Sequence, residues 1–260
     1  MIDNSFASTV KGSIIAIHQP NYFPWLGYFN KIFCSDVFVF HDNVKFTKRG
    51  FTKRTLIRAP ISTEKKYLTV PLEKHSDFSL IKDLKVDNTK NWQSKHLNQI
   101  RGTYHKSPYF KEYFSEISDL IQGFCDVELL IDVNVNSIRE LMEMLSIKVP
   151  TPISSKLPVK GKKSEYNINL VKLFQGTIYL SGTGARKYQA EAEFANAGIE
   201  LIYQEVFDFI EKNPYYQAQG KFINGLSVLD ALFNIGVDGI IKIFEEYRKS
   251  LFTSLNTENR

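Results

Sequence analysis

Short apolar runs rich in β-branched and aromatic residues alternate along this chain with longer stretches whose apolar positions recur at helical spacing. The first run is 14–17. A loop with two prolines, 18–25, leads to a helical stretch at 26–34 and a second strand at 37–41. Strand, helix and strand in that order predict a βαβ unit with parallel strands and a right-handed crossover. Further strands are expected at 66–71 and 83–86. Helices are expected from Asn88 or Thr89 to about Tyr104, over 108–124 and over 127–145. Prolines, serines and lysines mark 147–163 as an exposed connection. A second βαβ unit is predicted after it: strand 177–180, glycine turn 181–184, helix 185–197 stopped by Gly198, and strand 201–206. The segment FIEKNPYYQAQGKF reads as a loop. A long helical region at 226–252 is expected to break near Gly236 and Gly239. The pattern predicts an α/β fold, a Rossmann-like, mainly parallel sheet with an additional helical portion. The division read from it is a leader at 1–12, one α/β domain at 13–252 with a helical subdomain at 88–146, and a frayed polar tail at 253–260.

Composition narrows the class. The chain has 260 residues, of which 43% are hydrophobic and 23% charged, ordinary values for a globular protein. It has no apolar run of membrane-spanning length and no apolar signal segment at its start, so a cytoplasmic protein is expected. The two cysteines, Cys34 and Cys125, form no metal or disulfide pattern, and Cys34 lies in an apolar stretch as a buried thiol would. The five histidines show no metal-binding spacing, and no metal is expected. His96 reads as a helix-surface or core histidine. The net charge of +5 is local: residues 1–70 carry +6 and the rest −1. That favours a local anionic ligand over nucleic acid, for which no binding motif is present.

Four segments offer chemistry. In IAIHQPNYFPWLGYF, His18, Gln19, Asn21 and Tyr22 leave the first strand at its carboxyl end, where ligands of open parallel sheets bind. The helix begins near Gly27 and Tyr28, and its unpaired N–H groups suit a phosphate or carboxylate. In HDNVKFTKRGFTKRTLIR, Asp42 and Asn43 stand at the second strand's end. Six cations and no acid lie between Lys45 and Arg58, and Lys48, Arg49 and Arg54 suit a diphosphate. A solvated basic hairpin is the competing reading. In YLSGTGARKY, Ser181, Gly182, Thr183 and Gly184 form a strand-to-helix turn able to cradle an anion beside Arg186, although the P-loop spacing is absent. In NPYYQAQGKF, Tyr215, Tyr216 and Gln217 can stack on and bond to a sugar.

At HQPNYFPWLGYF and DVFVFHDNVKFTKRGF the chain resembles the WbqC-like family, and YLSGTGARKY, NPYYQ and LSVLDALFNIG fit it as well. The likeness runs from Ile14 to Gly239. It departs at Lys53, before Arg54, where the family tends to carry Asn. The resemblance implies a role in bacterial surface-polysaccharide (O-antigen) biosynthesis, with modification of an amino sugar by N-acylation or aminoacylation. The layout is also similar to that of adenylyl-transferring enzymes such as pantothenate synthetases. Of their H-x-G-H motif only Gly27 is kept, with Trp25 and Tyr28 where the histidines would stand.

The expected function is a transferase acting on a nucleotide-linked amino sugar. His18 or Asp42 is the base, and the acyl donor is CoA- or carrier-linked. The alternatives are an ATP-dependent amide ligase and a non-catalytic sugar-nucleotide-binding assembly protein.

Overall fold

β-Branched and aromatic side chains build two adjacent strands, β1 (Ile14–His18) and β2 (Val37–Phe40), joined through helix α1 (Leu26–Phe33). They pair in parallel, with Ile15 beside Val37 and His18 beside Phe40. The computed structural model describes residues 12–60 and 64–258. Residues 1–11 of the expected leader and the last two of the expected tail lie outside the described residues. An antiparallel hairpin follows, β3 (Arg54–Arg58) with β4 (Lys65–Thr69). Three helices come next, α2 (Trp92–Tyr104), α3 (Phe110–Gln122) and α4 (Leu130–Met144). After them come α5 (Lys163–Leu173), β5 (Ile178–Gly182), α6 (Glu191–Asn196), β6 (Glu200–Gln204), α7 (Val206–Lys212) and α8 (Val228–Glu258).

The main sheet has the order β2-β1-β5-β6, and every pairing in it is parallel. The α/β reading therefore holds. Successive side chains of a strand face opposite ways. Ile14, Ala16, Phe38, Phe40, Ile178 and Leu180 enter the larger core, beneath α1 and α8, while Ile15, Ile17, Val39 and Tyr179 enter a smaller one with α5 and α6. The buried residues of α2, α3 and α4, among them Trp92, Ile117 and Leu141, join the larger core.

Several expectations change. Residues 83–86 form no strand: a 3-10 turn, Ile81–Asp83, leads into single bridges that pair Val86 with Leu72 and Lys85 with Leu129. The expected helix 185–197 is a 3-10 segment, Thr183–Tyr188, followed by the short α6. The loop expected after 206 opens as α7, and α5 occupies residues for which no element was read. The long helix breaks at Gly236, with φ 67° and ψ −176°, as its glycines foretold. It then runs on through Glu258, past the expected end at 252.

Candidate functional site

Parallel strands deliver their carboxyl ends to one edge of the sheet. In this sheet the crossover from β1 leads to β2 on one side, and that from β5 leads to β6 on the other. The reversal lies between β1 and β5, the place where open α/β sheets bind ligands. His18 ends β1 there. Its Nδ1 lies 3.0 Å from the Gln19 carbonyl oxygen, a contact that only an Nδ1–H can make. Nε2 is then left as an acceptor. Tyr28 meets the imidazole edge-on with ring centroids 4.9 Å apart, and its hydroxyl donates to the same Gln19 carbonyl at 3.0 Å. Burial, with the nearby charge of Lys31, lowers the His18 pKa to about 3, so the ring is neutral at physiological pH.

His18 opens onto a cavity of about 320 Å³ shared with Asn21, Trp25, Phe51, Lys65 and Asn224. Phe207 and Gly225 line it as well, and Phe51 and Phe207 are 45% and 48% exposed at its mouth. The indole of Trp25 sits 5.8 Å from the Phe207 ring and lies across the start of α1. This placement explains Gly27: a Cβ there would fall 2.2 Å from the indole. Gly27→Ala is expected to push Trp25 off the helix start at a cost of ~1–3 kcal/mol. A lowered melting temperature together with a changed tryptophan emission would show it, whereas unchanged emission would mean that the ring is held from elsewhere.

Of the expected site residues, His18 and Asn21 meet at this cavity, and Gly27 lies behind the Trp25 indole that lines it. Gln19 and Tyr28 hold His18, and Gln19 Oε1 also accepts from Thr52 Oγ1 at 3.5 Å. Asp42 is 2% exposed and turned toward the connection after α4. Its carboxylate accepts from Ser155 N at 2.9 Å and Ser155 Oγ at 2.6 Å, with Ser154 Oγ 3.0 Å away. A carboxylate so engaged anchors a loop, which displaces the expectation that it faces the substrate as a base. Asn43 is likewise bound to Tyr166 and Ser154.

The basic stretch lends Phe51, Thr55 and Leu56 to the cavity, but the three cations expected to hold a diphosphate lie elsewhere. Lys48 pairs with Asp77 at 2.5 Å. The Arg54 guanidinium donates to the carbonyls of Gly50 and Arg49 and stacks 4.1 Å from the centroid of Tyr67, and Arg49 is exposed. None of the three lines the cavity, whose cation is Lys65. Lys65 Nζ donates to the Asn224 carbonyl at 3.0 Å.

Tyr22, expected to touch substrate, is wholly buried, with its hydroxyl 3.0 Å from His96 Nδ1. The polar character of NPYYQ also serves the core. Tyr215 donates to Asp230 at 2.8 Å, and so does Gln217 Nε2, while Tyr216 points outward, 62% exposed. Ser181 is buried on the face of β5 away from α1. Thr183 and Gly184 are exposed at the turn, and Arg186 stacks on Tyr203 beside Glu205, around a second cavity of about 510 Å³. Gly182 alone of that turn faces α1, where it meets Lys31, a buried lysine that motif reading passed over. The available signal was a lysine and an asparagine inside LGYFNKIFC, a helix apolar on every other side.

Among the described residues no helix is long and apolar enough to cross a membrane. No solved structure matches the chain. An uncharacterized protein of Mycobacterium tuberculosis, Rv1507c, is 29% identical over 227 residues, which cover 86% of this chain and 94% of that protein. The sequence model of the WbqC-like protein family matches residues 19–242, a span that starts just after β1, runs into α8 and takes in the cavity lining from Asn21 to Gly225, with His18 one residue before it. On that match the chain belongs to the WbqC-like protein family.

Proposed function

We propose that the protein is a transferase that N-acylates or aminoacylates a nucleotide-linked amino sugar in surface-polysaccharide (O-antigen) biosynthesis in the cytoplasm. The observation that supports this best is the neutral His18 imidazole, its Nδ1 tied to a main-chain carbonyl, at the wall of an aromatic-lined cavity. Trp25, Phe51 and Phe207 offer faces for a sugar or a base to stack on. Asn21 offers an amide for hydroxyls, and Lys65 offers a charge near the mouth.

In this reading the substrate amine places an N–H on His18 Nε2. Its lone pair attacks the carbonyl of a CoA- or carrier-linked acyl group. The C–N bond forms, the bond from the carbonyl to its thiol or carrier oxygen breaks, and the amine proton passes to His18 and on to the departing group. Tyr28 and the Gln19 carbonyl hold the ring in the one tautomer that permits this. Asp42 has no part in the proton transfer, because its carboxylate is bound to the 154–155 turn.

The test is an assay of purified protein with UDP- and dTDP-linked amino sugars and acyl-CoA donors, read by mass. Product is expected, and His18→Ala is expected to lower kcat by ~10²-fold or more. Asp42→Asn, if it folds, is expected to alter stability more than kcat. Release of AMP or pyrophosphate with product would instead identify an amide ligase. Tight nucleotide-sugar binding without turnover for any donor would identify an assembly protein.

A further inference from the structure

Helix α1 buries two polar side chains, Asn30 and Lys31, and neither is fully matched. Lys31 is 4% exposed, with no hydrogen-bond or ion-pair partner among the described residues. Asn30 Oδ1 accepts from Gln204 Nε2 at 2.8 Å, but its Nδ2 is buried without an acceptor. Both belong to one place. The parallel register sets Ala16 beside Leu180 and Gly182 beside Gln204. Alternate residues of a strand share a face, so His18, Gly182 and Gln204 form a row on the α1 side at the ends of three neighbouring strands. A helical lysine runs back toward its helix's N-terminus, which lifts Nζ to this row. Nζ lies 3.1 Å from the point where a Cβ on Gly182 would stand. The glycine leaves the opening that any other residue would crowd.

An ammonium almost wholly withdrawn from water, with no carboxylate beside it among the described residues, is costly, and proteins seldom keep one without a use. We propose that Lys31, with the Nδ2 of Asn30, forms a binding site for a phosphoryl oxyanion that enters over Gly182 between His18 and Gln204. That this anion is the diphosphate of a sugar nucleotide rests on the function proposed above; the site itself does not. Burial holds the Lys31 pKa down to about 8, and a bound anion pushes it back up. The charge of Lys31 also helps to keep His18 neutral. An anion that cancels this charge makes His18 a stronger base once the ligand is seated.

The probe is inorganic pyrophosphate, titrated calorimetrically into the wild-type protein and Lys31→Met. Binding to the wild type is expected, weakened about tenfold or more by the substitution, as for loss of a charge-assisted contact. Without ligand, Lys31→Met is expected to melt higher than the wild type, since it removes an uncompensated buried charge. With sulfate, whose charge is constant above pH 7, wild-type affinity is expected to fall as the pH passes about 8, the Lys31 pKa, and the variant's affinity to stay flat. Equal pyrophosphate affinity in both proteins, or none in either, overturns the proposal. So does a lower melting point for the unliganded variant, which is what a merely structural lysine predicts.

Should the variant not fold, wild-type protein treated with pyridoxal 5′-phosphate and borohydride decides the matter. Labelling of Lys31 that pyrophosphate blocks supports the site, and labelling confined to other lysines overturns it. Lys31-dependent pyrophosphate binding in a protein with no acyl transfer would leave this inference standing and remove the transferase reading. Transfer by Lys31→Met with an unchanged KM for the nucleotide sugar would do the reverse.

Discussion

Asp230→Ala is expected to cost about 3–5 kcal/mol of stability, the range for breaking a buried charged network by removing one member. The carboxylate is fully buried inside an apolar helix and accepts from Tyr104 Oη at 3.0 Å, Tyr215 Oη at 2.8 Å and Gln217 Nε2 at 2.8 Å. Arg58, 1% exposed on β3, donates to Gln217 Oε1 at 2.6 Å and to the Lys221 carbonyl at 2.7 Å. One carboxylate thus joins α2, the hairpin, the 215–221 loop and α8. Alanine would leave two phenols without their acceptor, remove one of the acceptors of the Gln217 amide, and leave the Arg58 guanidinium without a neighbouring negative charge. The measurement is urea unfolding at pH 7. A loss below about 1 kcal/mol, the ordinary size of a single net hydrogen bond, would mean that water enters and replaces the carboxylate. The hairpin helps to wall the cavity, so the same variant is expected to weaken ligand binding even though Asp230 lies outside it.

That network shows where reading the sequence stops. NPYYQ and LSVLDALFNIG stand out as polar groups in unusual company, and a loop rich in tyrosine and glutamine suggests a sugar site. The pairing of Tyr215 and Gln217 with Asp230, and of Gln217 with Arg58 on a strand 159 residues earlier, is a fact of tertiary contact that no local pattern encodes. The same holds for Asp42. A carboxylate at a strand end has two uses, to meet substrate or to hold a loop, and only the position of Ser154 and Ser155 decides between them. The parallel sheet was legible because it rests on local periodicity: β1, α1 and β2 follow directly from alternating apolar runs. His18 was legible as a strand-end polar residue in that unit. Lys31 was not, because a lysine on a helix is ordinarily a solvated one, and its burial depends on α1 packing over β5, which comes from far along the chain.

Acidification from pH 7 to 4.5 is expected to remove about 5 kcal/mol of stability, an amount comparable to the whole of many small proteins' stability. Three histidines are held neutral by the fold. Burial lowers His18 to about 3, with Lys31 adding to the effect. Burial lowers His41, stacked on Tyr166, to about 4 despite the nearby Asp42. Burial lowers His96, set between Tyr22 and the Thr69 carbonyl, to about 4. A base whose folded pKa lies below its unfolded value near 6.5 gives stability that is intact above 6.5 and is lost as the pH falls toward the folded pKa. Two units of that window lie above pH 4.5, so each histidine loses about 2.5 kcal/mol there. Asp230 runs the other way. Burial raises it to about 6, so its share of stability grows as the pH drops through that value, which offsets about 2 kcal/mol of the histidine loss. Urea unfolding at half-unit pH steps should therefore show a level stretch between about pH 7 and 8, where the buried Lys31 has yet to titrate, and a steep decline below 6.5. In His96→Gln, which has no titrating ring, the decline should be shallower by about 2.5 kcal/mol over the same range. An identical decline in that variant would show that His96 is already solvated or protonated in the fold, and would place the acid sensitivity in the carboxylates.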